Sequence, residues 1–249
     1  KILGLTILLL EPNLVLGRAN RFFLNFSKKI FCYSNKLSNF PKKQEHKIKL
    51  IKPLVFKAFY EVEKNKTLND KFCFLISGGS QGARIFDELI KEVMIDVSKK
   101  FPIKIIQQTS IENIKNLENI YNSKNIENKI FNFEKKIINL INMSDLCITR
   151  AGATSLAEIS ILSKPFIAIP LPTATDNHQM KNAQFYEKMG CCWVLDQRTI
   201  DKEKLSNIIL NLLEEKSDLI KKKLNLEKLN YKNTWKDINQ ELKKIVNEN

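Results

Sequence analysis

The run Phe74-Leu75-Ile76-Ser77-Gly78-Gly79-Ser80-Gln81-Gly82-Ala83-Arg84 decides the fold class. An apolar strand passes into a glycine-rich turn. Directly after it Ile85, Phe86, Leu89, Ile90, Val93, Met94 and Val97 recur at helical spacing. Strand, glycine turn and helix in succession open a βαβ unit. Strand-like runs lie at 5–10, 29–33, 72–77, 103–107, 129–132, 145–149, 166–169 and 192–195, with helical patterns at 83–98, 134–143, 154–162 and 178–189. Short apolar strands alternating with helices predict a doubly wound α/β chain: a Rossmann-like parallel sheet with the remnant of a second such domain before it. Residues 41–70, Lys- and Glu-rich with Pro41 and Pro53, read as a connector, and the pattern after Asp201 is helical and charged.

Composition narrows the function classes. The 249 residues hold 41 Lys and Arg against 27 Asp and Glu, a formal charge of +14. Only five of the basic residues are Arg, the side chain whose planar fork suits phosphates and guanine edges, so nucleic acid is not an expected partner. Residues 1–70 carry 14 basic and 5 acidic groups, a net +9, which fits either a solvated Lys-rich face or an anionic membrane surface. The longest apolar run, Leu5 to Leu10, falls far short of the ~20 residues a spanning helix needs. The five cysteines (Cys32, Cys73, Cys147, Cys191, Cys192) follow no metal or disulfide spacing and read as reduced, in a cytoplasmic chain. His46 and His178 are far apart, so no metal site is expected, and no cofactor.

Three turns carry the chemistry. Gly78, Gly79, Gln81 and Gly82 form a candidate phosphate loop, because glycines let backbone N–H groups approach an anion at a helix N-terminus; Ser80 adds a hydroxyl. No Gly-Lys-Ser/Thr follows, so this is not a Walker A loop, and a tight βα turn without a ligand is the plain alternative. The second turn is Cys147-Ile148-Thr149-Arg150-Ala151-Gly152-Ala153-Thr154-Ser155-Leu156-Ala157-Glu158. Here Thr154 and Ser155 are candidate helix caps, and Glu158, expected in the first helical turn, is either a dipole-stabilising group or an acceptor for ribose hydroxyls. In the third, Ile169 to Ala183, Gln179 and Asn182 share a helix face and can reach a polyhydroxy ligand; His178 reads as a surface group.

Gly78-Gly79-Ser80-Gln81-Gly82-Ala83-Arg84, Arg150 to Glu158 and Asp176-Asn177-His178-Gln179-Met180-Lys181-Asn182-Ala183 together resemble the MurG family of peptidoglycan glycosyltransferases. Leu10-Glu11-Pro12-Asn13, with Gly17 to Arg21 following, resembles the family's His-Glu-Gln-Asn segment, and the likeness runs over essentially the whole chain. It implies a GT-B fold and an inverting, metal-independent transfer of N-acetylglucosamine from UDP-N-acetylglucosamine to undecaprenyl-linked lipid I, giving lipid II. It also implies a peripheral location on the cytoplasmic face of the bacterial inner membrane. Residues 1–50 would end the acceptor-side domain, 51–70 connect, 71–230 bind the UDP-sugar and 231–249 form a terminal helix.

By the same resemblance, Asn13 contacts the donor sugar, Ser80 the diphosphate, and the backbone at Glu134 the uracil. Ala153, Thr154, Ser155, Leu156, Ala157 and Glu158 line the nucleotide, with Glu158 on the ribose, while Gln179 and Asn182 read the sugar hydroxyls. Two departures stand out. No run matches the family's glycine-rich, His-bearing first loop, so most of the first domain is expected to be lacking and the catalytic base is unassigned. In Ile51-Lys52-Pro53-Leu54-Val55, Val55 stands where the family's connector has an arginine; Lys52 or Lys57 is the candidate substitute. A related transferase with another lipid acceptor, or a UDP-sugar-binding module inactive without a complementing domain, fits the same residues.

Overall fold

A computed structural model of the chain describes residues 5–63, 70–78, 84–229 and 234–247. A three-stranded parallel sheet comes first: β1 (Leu8–Glu11), β2 (Lys29–Cys32) and β3 (Ile48–Leu50), in that spatial order, with α1 (Arg18–Phe23) between the first two. The strand β3 lies inside the stretch that composition assigned to a connector. Three residues are too few to show a period, and only the pairing of Ile48 to Leu50 with Ile30 to Cys32 reveals it. The short helix α2 (Ala58–Glu61) follows.

The second sheet has six parallel strands: β4 (Phe72–Ser77), β5 (Ile103–Gln108), β6 (Glu127–Phe131), β7 (Leu146–Thr149), β8 (Phe166–Ala168) and β9 (Cys192–Val194). Their order is β6-β5-β4-β7-β8-β9. The chain builds outward from β4 to one edge, then returns to the centre and builds to the other. Both sheet faces are covered, and side chains alternate between them with period two. Cys73 and Leu75 pack with Cys147, Phe166 and Leu156 on one face. Phe74 and Ile76 pack with Ile105, Ile148 and Ile167 on the other.

The covering helices are α3 (Lys91–Ser98), α4 (Ile114–Ser123), α5 (Ile137–Met143), α6 (Ala153–Ile161), α7 (His178–Lys188), α8 (Lys202–Glu214) and α9 (Ser217–Lys228). Before α3 the helix opens into a π turn, Phe86–Ile90, which turns Asp87 back to Gln107 and Thr109. The Asn-rich helix α4 carries Ile114, Leu117, Ile120 and Tyr121 at helical spacing, and it holds by burying Leu117 and Tyr121. The expected helix at 134–143 begins only at Ile137, because the Glu134 carboxylate takes the Lys136 N–H and turns the backbone first.

The last helix, α10 (Thr234–Asn247), returns to the first sheet. Trp235 Nε1 donates to Val55 O at 2.8 Å, Glu241 pairs with Lys49 at 2.8 Å and Lys28 Nζ donates to Ile245 O at 3.1 Å. All five cysteines are buried and unbridged, and burial pushes Cys32 and Cys73 up to about 12.

Gly190 ends α7 at φ +67°, and a Cβ there would sit 2.7 Å from Asn225 Nδ2, which donates to Gly190 O at 3.1 Å. Gly190→Ala is expected to lower stability by about 1–2 kcal/mol from the left-handed backbone alone. Thermal melts of Asn225→Ala and Gly190→Ala/Asn225→Ala, which both lack the clashing amide and its hydrogen bond, isolate the backbone effect by their difference. An unchanged melting temperature in Gly190→Ala would refute this account.

Candidate functional site

The strand order reverses between β4 and β7, and ligands of open α/β sheets bind outside the carboxyl ends at such a reversal. Ser77 pairs with Thr149 and the Arg150 N–H donates to Ser77 O at 3.2 Å, so these two strands end side by side. Gly78 is buried at the head of the first turn. Gly79, Ser80, Gln81 and Gly82 lie outside the described residues. Behind the pair sits Arg150, only 9% exposed, donating from Nη1 to Ile169 O at 3.0 Å and Gln197 Oε1 at 2.6 Å, with its guanidinium 5.1 Å from the Phe86 ring centre. Desolvation holds its pKa below the usual range, yet an arginine keeps its charge.

The second turn ends at Gly152, whose extended backbone (φ −66°, ψ 135°) makes it the N-cap of α6, with Leu156 N donating to Gly152 O at 3.0 Å. Thr154 and Ser155 are therefore not caps. They are the second and third helical residues, exposed to solvent. The N–H groups of Ala153, Thr154 and Ser155 meet no acceptor among the described residues, as is usual for the first turn of a helix. Leu156 and Ala157 are fully buried, so their side chains point into the core and only their backbones can line a ligand. Glu158 is the sixth helical residue, not a first-turn group, and shares a face with Thr154 and Ser155. It is half-buried with no hydrogen bond or ion pair among the described residues, and desolvation alone lifts it to about 7.

Gln179 Oε1 accepts from Ala151 N at 3.2 Å and Leu171 N at 2.9 Å, tying the third loop to the second turn and leaving its amide nitrogen without a protein partner among the described residues. Asn182 departs from expectation. Only 1% exposed, it spends both amide hydrogens on Asn13 Oδ1 and Ala151 O, each at 3.1 Å, while Leu14 N donates to its Oδ1 at 2.9 Å. It clamps the first sheet's loop to the second sheet and has no donor left for a sugar. Asn13 joins that clamp, its backbone and side-chain N–H groups both held by Glu11 Oε1 at 3.1 Å. The buried Glu11 also accepts from Gly17 N at 2.7 Å and Asn20 Nδ2 at 2.9 Å, an organising role that sequence reading missed. His178 Nδ1 lies 2.8 Å from Thr175 O, across a turn with left-handed Asp176 and Asn177.

At the far end of the carboxyl edge, Glu134 Oε1 accepts from Lys136 N at 2.9 Å and Oε2 pairs with Lys129 at 3.3 Å; these hold its carboxyl below the usual range, the backbone bond first. Its side chain is thereby committed to the loop. Beside it Phe133 is 75% exposed, a ring whose only signal in sequence is an aromatic between polar residues. Val55 is 4% exposed and packed in the core, so it offers nothing polar to a ligand. Lys57 is held by Glu61 at 3.0 Å and Lys52 is exposed. A cavity of about 460 Å³ opens at the seam between the sheets, touching Asn182 and Ala153 but lined mainly by Leu14, Ile51, Phe185 and Met189. It lies behind the turns and does not include Glu158 or Gln179.

Because Glu158 is lifted from 4.5 to about 7 on folding, its ionisation opposes the folded state increasingly as pH rises between those values. Glu158→Gln is expected to leave stability unchanged at pH 4 and to raise it at pH 8, read by urea denaturation at each pH. Equal effects at both would contradict a lone, desolvated carboxyl.

Comparison with known proteins is specific. Residues 73–242 match the model of the glycosyltransferase family 28 C-terminal domain. The UDP-N-acetylglucosamine–N-acetylmuramyl-(pentapeptide) pyrophosphoryl-undecaprenol N-acetylglucosamine transferase of Pelagibacter ubique is 48% identical over all of this chain, which spans 70% of that protein. The enzyme of the same name from Rickettsia bellii is 36% identical over 85% of the chain, a match covering 61% of its own length. In fold, the crystal structure of Acinetobacter baumannii MurG superposes with a TM-score of 0.76 over 98% of this chain and 68% of that one, at 22% identity. The chain belongs to glycosyltransferase family 28, among the MurG N-acetylglucosaminyltransferases.

Proposed function

We propose that the carboxyl edge of the six-stranded sheet binds UDP-N-acetylglucosamine and presents its sugar for transfer to lipid I, the undecaprenyl-linked acceptor, forming lipid II. The observation that carries this reading is the α6 face: three unpaired N–H groups at its start and an unpartnered, half-buried carboxylate one turn later. The amides suit a diphosphate, and Glu158 suits the paired hydroxyls of a ribose. Gln179, with a free amide nitrogen beside the same turn, can donate to the sugar, and Phe133 offers a face for the base. Asn182 and Asn13 hold the seam rather than reading the sugar. Ser80 completes the phosphate loop in this reading.

The acceptor oxygen forms its bond to the anomeric carbon as the bond from that carbon to the β-phosphate oxygen breaks. UDP leaves with the electron pair, and in this reading its charge develops against the α6 N-terminus. The hydroxyl proton passes to a base outside the residues assigned here.

Ribose hydroxyls donate to an ionised Glu158, so binding should favour the carboxylate. About 10% is ionised at pH 6 and about 90% at pH 8 for a pKa near 7, so UDP-N-acetylglucosamine affinity should rise about tenfold across that span. Calorimetric titration tests it, because this diester has no phosphate titrating in the range. Glu158→Ala and Ser80→Ala should abolish saturable binding, and a pH-independent wild-type affinity would remove Glu158 from the site.

A membrane surface is the second part of the proposal. Phe22, Phe23 and Phe26 are 68%, 46% and 47% exposed and cluster on and just after α1, Phe22 meeting Phe23 in a T-shape and Phe26 at a tilt, within the most basic segment of the chain. No helix among the described residues is long and apolar enough to cross a membrane, so contact would be peripheral. Cosedimentation should show binding to anionic vesicles that weakens in Phe22→Ser/Phe26→Ser. Equal binding to neutral vesicles would overturn the electrostatic part.

A further inference from the structure

Arg150 is a buried cation that no carboxylate answers. Its Nη1 donates to Ile169 O at 3.0 Å, Pro170 O at 3.4 Å and Gln197 Oε1 at 2.6 Å, all of them neutral acceptors. Its Nε and Nη2 edge meets no acceptor among the described residues, and Phe86 offers only a ring face. Burial alone moves its pKa, and moves it down, so no nearby carboxylate steadies the charge. An acid stands close in sequence. Asp196 immediately precedes Gln197, but Arg198 takes its carboxylate, from Nε at 3.0 Å and Nη2 at 2.5 Å, and holds it down at about 2. A buried charge without a counter-charge is a cost to the fold. The place of Arg150 adds to that cost, because it stands two residues before Gly152, the N-cap of α6, and a cation there meets the positive end of the helix dipole. Gln179 Oε1 joins Ala151 N to Leu171 N, so the start of α6 is tied to the loop whose carbonyls hold the guanidinium. By chain reach, the guanidinium lies on the order of 10 Å from the first N–H groups of α6.

We propose that Gln197 is a positioning residue whose neutral amide holds Arg150 in place without cancelling its charge, leaving that charge for the diphosphate of a nucleotide sugar bound at α6. The proposal rests on the nucleotide-site reading above and adds to it a residue that touches no ligand. A glutamate has the same length and would accept from Nη1 more strongly, so neither shape nor hydrogen bonding calls for an amide here. What distinguishes the amide is an acceptor oxygen with no net charge. The desolvated guanidinium and the α6 amides then present positive potential to one anion, and a low-dielectric surround lets a charge act over such a distance. The bound diphosphate supplies the missing counter-charge.

The test titrates the full chain with UDP, pyrophosphate and uridine at low salt, beside a thermal melt of each variant. Gln197→Glu should weaken UDP and pyrophosphate about tenfold, leave uridine within about twofold, and melt no lower than the wild type. Damage to the structure would instead lower stability and affinity together. Gln197→Ala, which drops the hydrogen bond and keeps the cation uncompensated, should hold UDP within about threefold. Arg150→Met removes the charge from the other partner and should match the UDP loss of Gln197→Glu, with uridine again spared; it carries the test if Gln197→Glu does not fold. Unchanged UDP affinity in a folded Gln197→Glu, an equal loss in Gln197→Ala, or a matching fall for uridine would overturn the proposal while the nucleotide site stands. A folded wild-type chain that binds neither UDP nor pyrophosphate would overturn the nucleotide reading itself, and this role with it.

Discussion

The pairing of Ser77 with Thr149 at the centre of the six-stranded sheet is the constraint on which the rest depends. Both strands are covered on both faces, so their backbone groups must be satisfied within the sheet, and the register cannot slip without moving Phe74, Leu75 and Ile76 out of two cores at once. Where the ladder stops, unpaired N–H groups become available. Two adjacent strands stop together, β4 at Ser77 and β7 at Thr149, the latter just before the α6 terminus. In the proposed reading, the anion-binding edge is a by-product of how the sheet ends.

That edge is joined to the first sheet by a polar seam and not only by apolar packing. Asn182 ties Asn13 and Leu14 to Ala151, while Glu11 fixes the loop that carries Asn13. Asn182 and Glu11 are almost fully buried, where an unmade hydrogen bond costs about 1–3 kcal/mol, so the seam has one favoured geometry. Val55, where the family resemblance places an arginine, lies in the core and accepts at its carbonyl from Trp235. The connector is packed against the core at this point.

Much of this was legible in sequence where chemistry and period agree. The strands at 72–77, 146–149 and 166–168 are short apolar runs bounded by glycine, proline or polar residues, and the two turns announce themselves by small residues in series. What stayed hidden has physical reasons. Strand β3 and helix α1 are too short to show a period, and the apolar stripe of α4, Ile114, Leu117, Ile120 and Tyr121, is set among Asn residues that are weak helix formers. Side-chain commitment was the other blind spot. Asn182 and Glu134 look like ligand-reading groups until their hydrogen bonds are counted, whereas Glu158 gains its interest from having none.

The buried cysteines carry a consequence of their own. They are spread through both sheets, with Cys32 in β2, Cys73 in β4, Cys147 in β7 and Cys191 and Cys192 at β9. Burial lifts each thiol above its free value, so the folded chain presents almost no thiolate to an electrophile. Labelling must then wait for each strand to open, and its rate becomes a clock on that opening. The chain carries a native set of reporters able to rank the edge strands against the centre, and the first sheet against the second, without a single introduced probe.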